Sequence, residues 1–321
     1  MLLGIAFALA AGLMWGLVFV GPLLLPEYSA ALQVFGRYLA FGLIAIPMAW
    51  FDRAEIARLQ RDDWLEALKL TIIGNFLYYL FLASAIQRSG GPLPTMIIGT
   101  LPVVIAIFAN QLSRERDGQL PWGRLAPCLG IILVGIACVN QVEMASFIRE
   151  PGADLSLYLT GALQAFLAMA CWTWYPIRNA NWLRNHPSRK PRAWATAQGL
   201  TTLPLAVGGY AIFWVWMRES GNPLPMPFGP RPEAFIGLML AVGLLASWLG
   251  AQCWNEASQR LPTALVGQLI VFETLAALAY AYLLRGSWPE PLVLTGILLL
   301  LLGVFLAVRI KPQKAPERSS P

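Results

Sequence analysis

Glu273 is the one carboxylate near the middle of a long apolar stretch of this chain. An ionised carboxylate at such depth in a bilayer costs several kcal/mol even on lenient scales, so it must be protonated, paired or open to water. A group of this kind can carry a proton, receive the ammonium group of a solute, or hydrogen-bond two helices together. Arg37 lies within another apolar stretch, in its outer third. It either partners Glu273 or extends its guanidinium outward to water.

Flat rings and amides accompany these charges. Trp15, Tyr78, Tyr79, Trp172, Trp174, Trp248 and Trp254 fall several residues inside their stretches. Thr71, Asn75, Tyr78 and Leu82 recur at i, i+4, i+7 and i+11 and share one helical face. Ser247, Ala251, Trp254 and Ser258 do likewise, as do Gln164, Ala168, Cys171 and Tyr175. A polar stripe on a membrane helix faces a partner helix or a wet cavity. Amides, hydroxyls and rings together suit an amphipathic, partly aromatic solute.

The expected substrate-binding set is therefore Trp15, Asn75, Tyr78, Tyr79, Gln164, Trp172, Tyr175, Trp254 and Gln268, with Glu273 and Arg37 as a coupling pair. Helix packing is the alternative for each of them, and for Gln252 and Glu256 beside Gln268. Trp50, Trp64, Trp122, Trp182, Trp194, Trp216 and Trp288 lie near the ends of stretches and read as interfacial anchors.

Enzymatic chemistry finds no foothold in these residues. A membrane-embedded hydrolase or acyltransferase needs a nucleophile with a base, paired carboxylates or a metal cluster. The single His, His186, sits in the basic loop 181–191 and reads as solvated. Cys128, Cys138, Cys171 and Cys253 stand singly, without a Cys-x-x-Cys, and read as packing residues. No metal or other cofactor is expected. No phosphate loop occurs, so any energy source is a gradient.

The elements that must position these groups follow from composition. Apolar residues make up 57% of the 321-residue chain and charged ones 12%, and mean hydropathy is +0.59. The apolar stretches run about 20 residues, the length of helix that crosses roughly 30 Å of hydrocarbon. The fold class is all-α integral membrane protein, with ten helices predicted at 2–22, 30–50, 64–86, 94–112, 124–142, 158–179, 193–217, 234–257, 263–284 and 291–309. The first has no basic segment before it and no small-residue cleavage site after it, and is read as a retained span. Of 23 Lys and Arg, 17 fall on one set of loops, 5 on the other, and Arg37 within a span. The positive-inside rule then makes both termini cytoplasmic. A net charge of +6 scattered over these loops points to topology and not to nucleic acid.

Residues 93–135 repeat without a gap as residues 261–303, pairing Leu93-Pro94-Thr95 with Leu261-Pro262-Thr263, Gly99 with Gly267 and Gly135 with Gly303. Gln87-Arg88 precedes the first copy by four extra residues, whereas Gln259-Arg260 abuts the second; upstream, Trp15 matches Trp172. Each unit holds five helices, an odd number, so the second enters the bilayer from the opposite face. Such inverted repeats open a central pathway to either side by exchanging the conformations of the halves. The units are expected at 1–142 and 158–309, with an outer connector at 143–157 and a cytoplasmic tail at 310–321. The Pro-rich piece 219–233 reads as a semi-rigid spacer or a lid. Ala8, Gly12 and Gly16 form a small-residue row, and Thr95, Gly99, Pro102 and Ala106 a narrow face mirrored by Thr263, Gly267, Ile270 and Thr274. Pro102 is expected to supply a kink.

Two five-helix repeats, small-residue helices, a Trp opening each unit and short loops resemble the drug/metabolite transporter superfamily, and within it the EamA-type exporters. The fourth helix keeps that family's Leu-Pro pair at Leu101-Pro102, while the ninth departs with Leu269-Ile270 and closes its hairpin with Arg285-Gly286. The aromatic load and Trp15 are similar to the aromatic amino-acid exporter branch, of the YddG type. That resemblance implies export of aromatic amino acids or similar small amphipathic metabolites through a hydrophobic central cavity of a bacterial inner membrane. A broader proton-coupled drug and metabolite exporter using Glu273 is the second expectation. The partners implied are the small-molecule substrate and the lipid bilayer, in a chain that can act as a monomer.

Overall fold

A computed structural model of the chain describes residues 1–89, 92–112, 120–148, 155–221, 225–286, 288–311 and 313. Within these residues the chain folds into long helices, labelled α1 (Leu2–Leu24), α2 (Ala30–Phe51), α3 (Arg61–Ser89), α4 (Pro92–Gly99 and Leu101–Leu112), α5 (Trp122–Ile148), α6 (Leu155–Asn185), α7 (Pro191–Glu219), α8 (Pro232–Arg260), α9 (Thr263–Leu269 and Val271–Arg285) and α10 (Pro291–Val308). A single turn, Arg53–Ile56, lies between α2 and α3. Eight of the long helices are apolar enough to cross a membrane. The others are α4, whose apolar half is short, and α6, whose last turns carry Arg178 and Arg184.

Several helices outrun the apolar stretches that announced them, because polar end turns continue the helix into water. At the start of α3, Asp63 accepts the Gln60 backbone N–H at 2.9 Å, and Asp62 and Asp63 favour the positive end of the helix dipole. The expected connector at 143–157 is mostly helical: α5 runs to Ile148 and α6 begins at Leu155, while residues 149–154 lie outside the described residues. Most of the tail expected at 310–321 lies outside them too. Ile5 of α1 and Val308 of α10 line one apolar groove, so the two chain ends share a face of the bundle.

Helices in lipid gain little from burying apolar surface against one another, so close van der Waals packing must hold the bundle. The principal neighbours are α5 with α10, α2 with α7, α4 with α9, α3 with α6, α1 with α8, and α1 with α9. Glycines set the closest crossings. A Cβ at Gly16 would lie 2.6 Å from that of Ala276, and one at Gly12 would lie 3.0 Å from the Glu273 backbone nitrogen. On the α5–α10 seam, a Cβ at Gly135 would lie 2.8 Å from the carbonyl of Gly296, and one at Gly303 would lie 3.0 Å from that of Cys128.

Two pairs of irregularities interrupt the helices. Alpha-helical hydrogen bonding gives way to π-helix at Thr71–Leu77 in α3 and at Gly243–Leu249 in α8. These segments stand 172 positions apart, the same separation as Gln87-Arg88 and Gln259-Arg260. The wider turn inserts a residue and rotates everything after it. Tyr78 and Tyr79, directly after the first of these turns, are both buried. α4 breaks at Thr100 and α9 at Ile270. Pro102 falls in the first turn after its break, where a missing N–H leaves no hydrogen bond unmade. The break in α9 needs no proline, since the Ile270 N–H turns back to Gly267. The side chain of Thr95, placed on the narrow face of α4, lies outside the described residues.

Candidate functional site

Trp172, midway along α6, is the hub of an aromatic cluster drawn from four helices. It stacks on Tyr78 of α3 at 4.3 Å between ring centroids and on Tyr175 of its own helix at 5.1 Å. Its other side meets Trp15 of α1 edge-on at 5.1 Å, and Trp15 leans on Trp254 of α8 at 5.0 Å. Each such contact adds about 0.5–1.5 kcal/mol beyond area burial. The Trp15 indole N–H donates to the Ala246 carbonyl at 2.8 Å, inside the π-helical segment of α8, where the Gly250 N–H reaches past Ala246 to Leu245 and Ser247. Trp15→Phe keeps a ring and removes the donor to that carbonyl; a loss of about 0.5–1.5 kcal/mol from the hydrogen bond is expected, read as a lower melting temperature in detergent.

The two buried charges bracket this cluster without touching. Glu273 is 2% exposed, and its Oε2 accepts the Trp172 indole N–H at 3.4 Å. Arg37 is 6% exposed; its Nε donates to the Ser247 hydroxyl at 3.0 Å, and its guanidinium lies over the Tyr79 ring at 4.6 Å and the Tyr38 ring at 5.0 Å. The described ion pairs sit near helix ends, and Arg37–Glu273 is not among them. Arg37 therefore neither pairs directly with Glu273 nor extends outward to water. Its side chain turns into the bundle because the hydroxyl and two ring faces offer it contacts there.

Several polar atoms are fully buried with no hydrogen-bond partner among the described residues: Arg37 Nη1, Asn75 Nδ2, Gln164 Oε1, Trp254 Nε1, and both Nε2 and Oε1 of Gln268. An orphaned buried polar group costs about 1–3 kcal/mol, and native folds keep few of them. Most of these atoms belong to residues on which the sequence placed substrate binding. Not all converge: Gln164 lies two turns along α6 from Trp172, and Gln268 sits over one turn of α9 from Glu273. Tyr79 faces Arg37 while Tyr78 faces Trp172.

Other expectations are corrected by packing. The buried stripe of α6 runs through Ala165, Ala168, Trp172, Tyr175 and Asn179, with Gln164 and Cys171 at its half-buried margin. Trp182 and Trp194 are not interfacial anchors; they are buried and stacked on each other at 3.4 Å. His186 is not simply solvated, since it stacks on Trp182 at 4.6 Å and meets the Trp182 carbonyl at 2.8 Å. A polar network was missed altogether: Trp194 Nε1 and Gln198 Nε2 donate to Asn179 Oδ1, Asn179 Nδ2 donates to Asn255, and the Tyr175 hydroxyl donates to Gln198 Oε1 at 2.9 Å. The i, i+4 pairs Tyr175/Asn179 and Trp194/Gln198 were the signal that a facing argument could have used.

At the face holding the α6–α7 turn, ion pairs tie that turn to α2 and α3. Arg192 meets Asp52, Arg178 meets Glu66 at 2.9 Å, Arg189 meets Asp63 at 3.2 Å, and Lys190 meets Glu55 at 3.1 Å. Lys190 holds the Glu55 carboxyl below the usual range, so this link stands at neutral pH and is lost as pH falls through that lowered value. At the opposite face the described end of the Pro-rich piece is tied to Tyr28, whose hydroxyl donates to the Phe228 carbonyl at 2.9 Å and accepts the Arg231 backbone N–H at 2.8 Å.

Residues 2–141 match the EamA-like transporter family. Inner membrane protein YtfF of Escherichia coli is 54% identical over 314 residues, 98% of this chain and 97% of that protein. The uncharacterized transporter sll0355 of Synechocystis is 29% identical over 76 residues, 23% of each chain. A solved crystal structure superposes with a TM-score of 0.69 over 95% of this chain and 96% of that one; at 16% identity the likeness is one of fold.

Proposed function

The chain belongs to the EamA-like transporter family, and from that premise we propose that it exports aromatic amino acids and similar small amphipathic metabolites by alternating access through the aromatic centre. It is a multi-pass inner-membrane protein. The observation that carries the reading is the cluster itself: stacked rings around Trp172, with Glu273 bonded to the Trp172 indole and Arg37 over Tyr79, the residue beside Tyr78, all buried at mid-bundle. Flat apolar walls with a few placed polar groups are what an aromatic zwitterion requires.

Inverted repeats of five spans each, ten in all, with both termini cytoplasmic, complete the reading. Exchanging each helix for the one five places on turns α3–α6 into α8–α1, turns α1–α9 into α6–α4, and returns α2–α7, α4–α9 and α5–α10 to themselves; these are the neighbours the bundle has. The Gly135–Gly296 and Gly303–Cys128 crossings exchange in the same way. A pathway on such an axis opens to either side at equal structural cost.

The test is counterflow in proteoliposomes preloaded with phenylalanine or tryptophan, following labelled uptake with and without a pH gradient. Exchange of either amino acid is expected; failure to move any aromatic solute would remove the aromatic reading. Glu273, buried without a counter-ion in contact, favours a second reading, a broader drug and metabolite exporter driven by proton exchange. Gradient-driven flux is then expected to be lost in Glu273→Gln, while gradient-independent exchange persists. Unchanged coupled flux in that variant would leave Glu273 a structural role.

A further inference from the structure

We infer that Arg37 is the carboxylate anchor of the transport site, so that the substrate is recognised as a zwitterion held between Arg37 and Glu273; this rests on the reading of the aromatic centre as a substrate site. A guanidinium has five N–H donors in a planar fork. In Arg37 the Nε donor goes to Ser247, the guanidinium lies over the Tyr38 and Tyr79 rings, and Nη1 is buried with no hydrogen-bond partner among the described residues. Ring faces balance part of the charge but accept no in-plane hydrogen bond. With Nε fixed by Ser247, Nη1 is held in place, buried and unsatisfied, as a guanidinium nitrogen must be to bind a carboxylate strongly.

The site has a matching opposite end. The Glu273 Oε2 accepts the long bond from the Trp172 indole, the Tyr78 hydroxyl lies beside the carboxylate, and no described ion pair gives it a cation. Adjacent residues of α3 connect the ends: Tyr79 under Arg37 and Tyr78 on Trp172, which reaches Glu273. A group that carried protons alone would call for Glu273 and leave the Arg37 fork unexplained. An α-amino acid carries both complementary charges within one bond of a single carbon, and its side chain would then fall among the rings.

The experiment measures competition with labelled tryptophan counterflow by unlabelled tryptophan, tryptamine, which lacks the carboxylate, and indole-3-propionate, which lacks the ammonium group. In wild-type protein both analogues are expected to compete at least ten-fold more weakly than tryptophan. Arg37→Gln is expected to bring tryptamine level with tryptophan while leaving indole-3-propionate weak, and Arg37→Lys to restore part of the preference. Wild-type protein that takes tryptamine as readily as tryptophan overturns the inference and leaves the transport reading intact, whatever the variants do. An unchanged preference in folded Arg37→Gln overturns it equally. No tryptophan counterflow in wild type removes both.

Discussion

Trp172→Ala is expected to lower aromatic counterflow more than ten-fold, and to lower the melting temperature as well. The side chain stacks on Tyr78 and Tyr175, meets Trp15 edge-on and donates to Glu273, so four helices lose a shared partner at once. Truncating a buried Trp costs about 3–5 kcal/mol, a large share of the 5–15 kcal/mol that holds a typical fold. Trp172→Phe separates the two consequences. It keeps a ring in the stack but removes the N–H, leaving Glu273 without its indole donor, so the protein should fold while transport falls. Tyr175→Phe supplies the comparison, since it gives up the bond to Gln198 and keeps the ring beside Trp172. Folded Trp172→Ala that transports at the wild-type rate would mean that substrate never touches the cluster.

Gly135→Leu should prevent α10 from docking on α5 and leave little folded protein, by about 3 kcal/mol or more. The first added carbon would stand 2.8 Å from the Gly296 carbonyl and 3.0 Å from the Leu300 nitrogen. Both are backbone atoms, which cannot swing aside as a side chain tip would, so the helices must separate. In lipid no hydrophobic gain offsets that separation. Gly130→Leu on the same helix is the control: a Cβ there meets nothing within 4 Å, and the change should be neutral or mildly stabilising through helix propensity. Size-exclusion profiles and thermal unfolding in detergent distinguish the two. Equal behaviour of the variants would show that the seam yields.

Long apolar stretches, the doubled segment and the deep aromatic residues were legible because each depends on local composition or on comparison of the chain with itself. Trp15 and Trp172 were marked by depth, Tyr175 by its helical face, and Tyr78 and Trp254 by both; all five meet at mid-bundle. Trp182 and Trp194 had the same residue type at a span's end, but each found the other's ring in place of the interface. The face of α3 was drawn with a period of 3.6, which the π-helical turn at Thr71–Leu77 does not keep.

Composition, hydropathy and self-similarity by themselves determined that this is a helical membrane protein of the transporter kind, because those signals are written along one chain in order. Whether Arg37 meets Glu273, Ser247 or water was decided only when α2, α8 and α9 packed, since no spacing within one helix encodes the distance to another. The tertiary structure turned both groups inward and left them apart, because the Ser247 hydroxyl and tyrosine ring faces hold Arg37 while the Trp172 indole N–H holds Glu273.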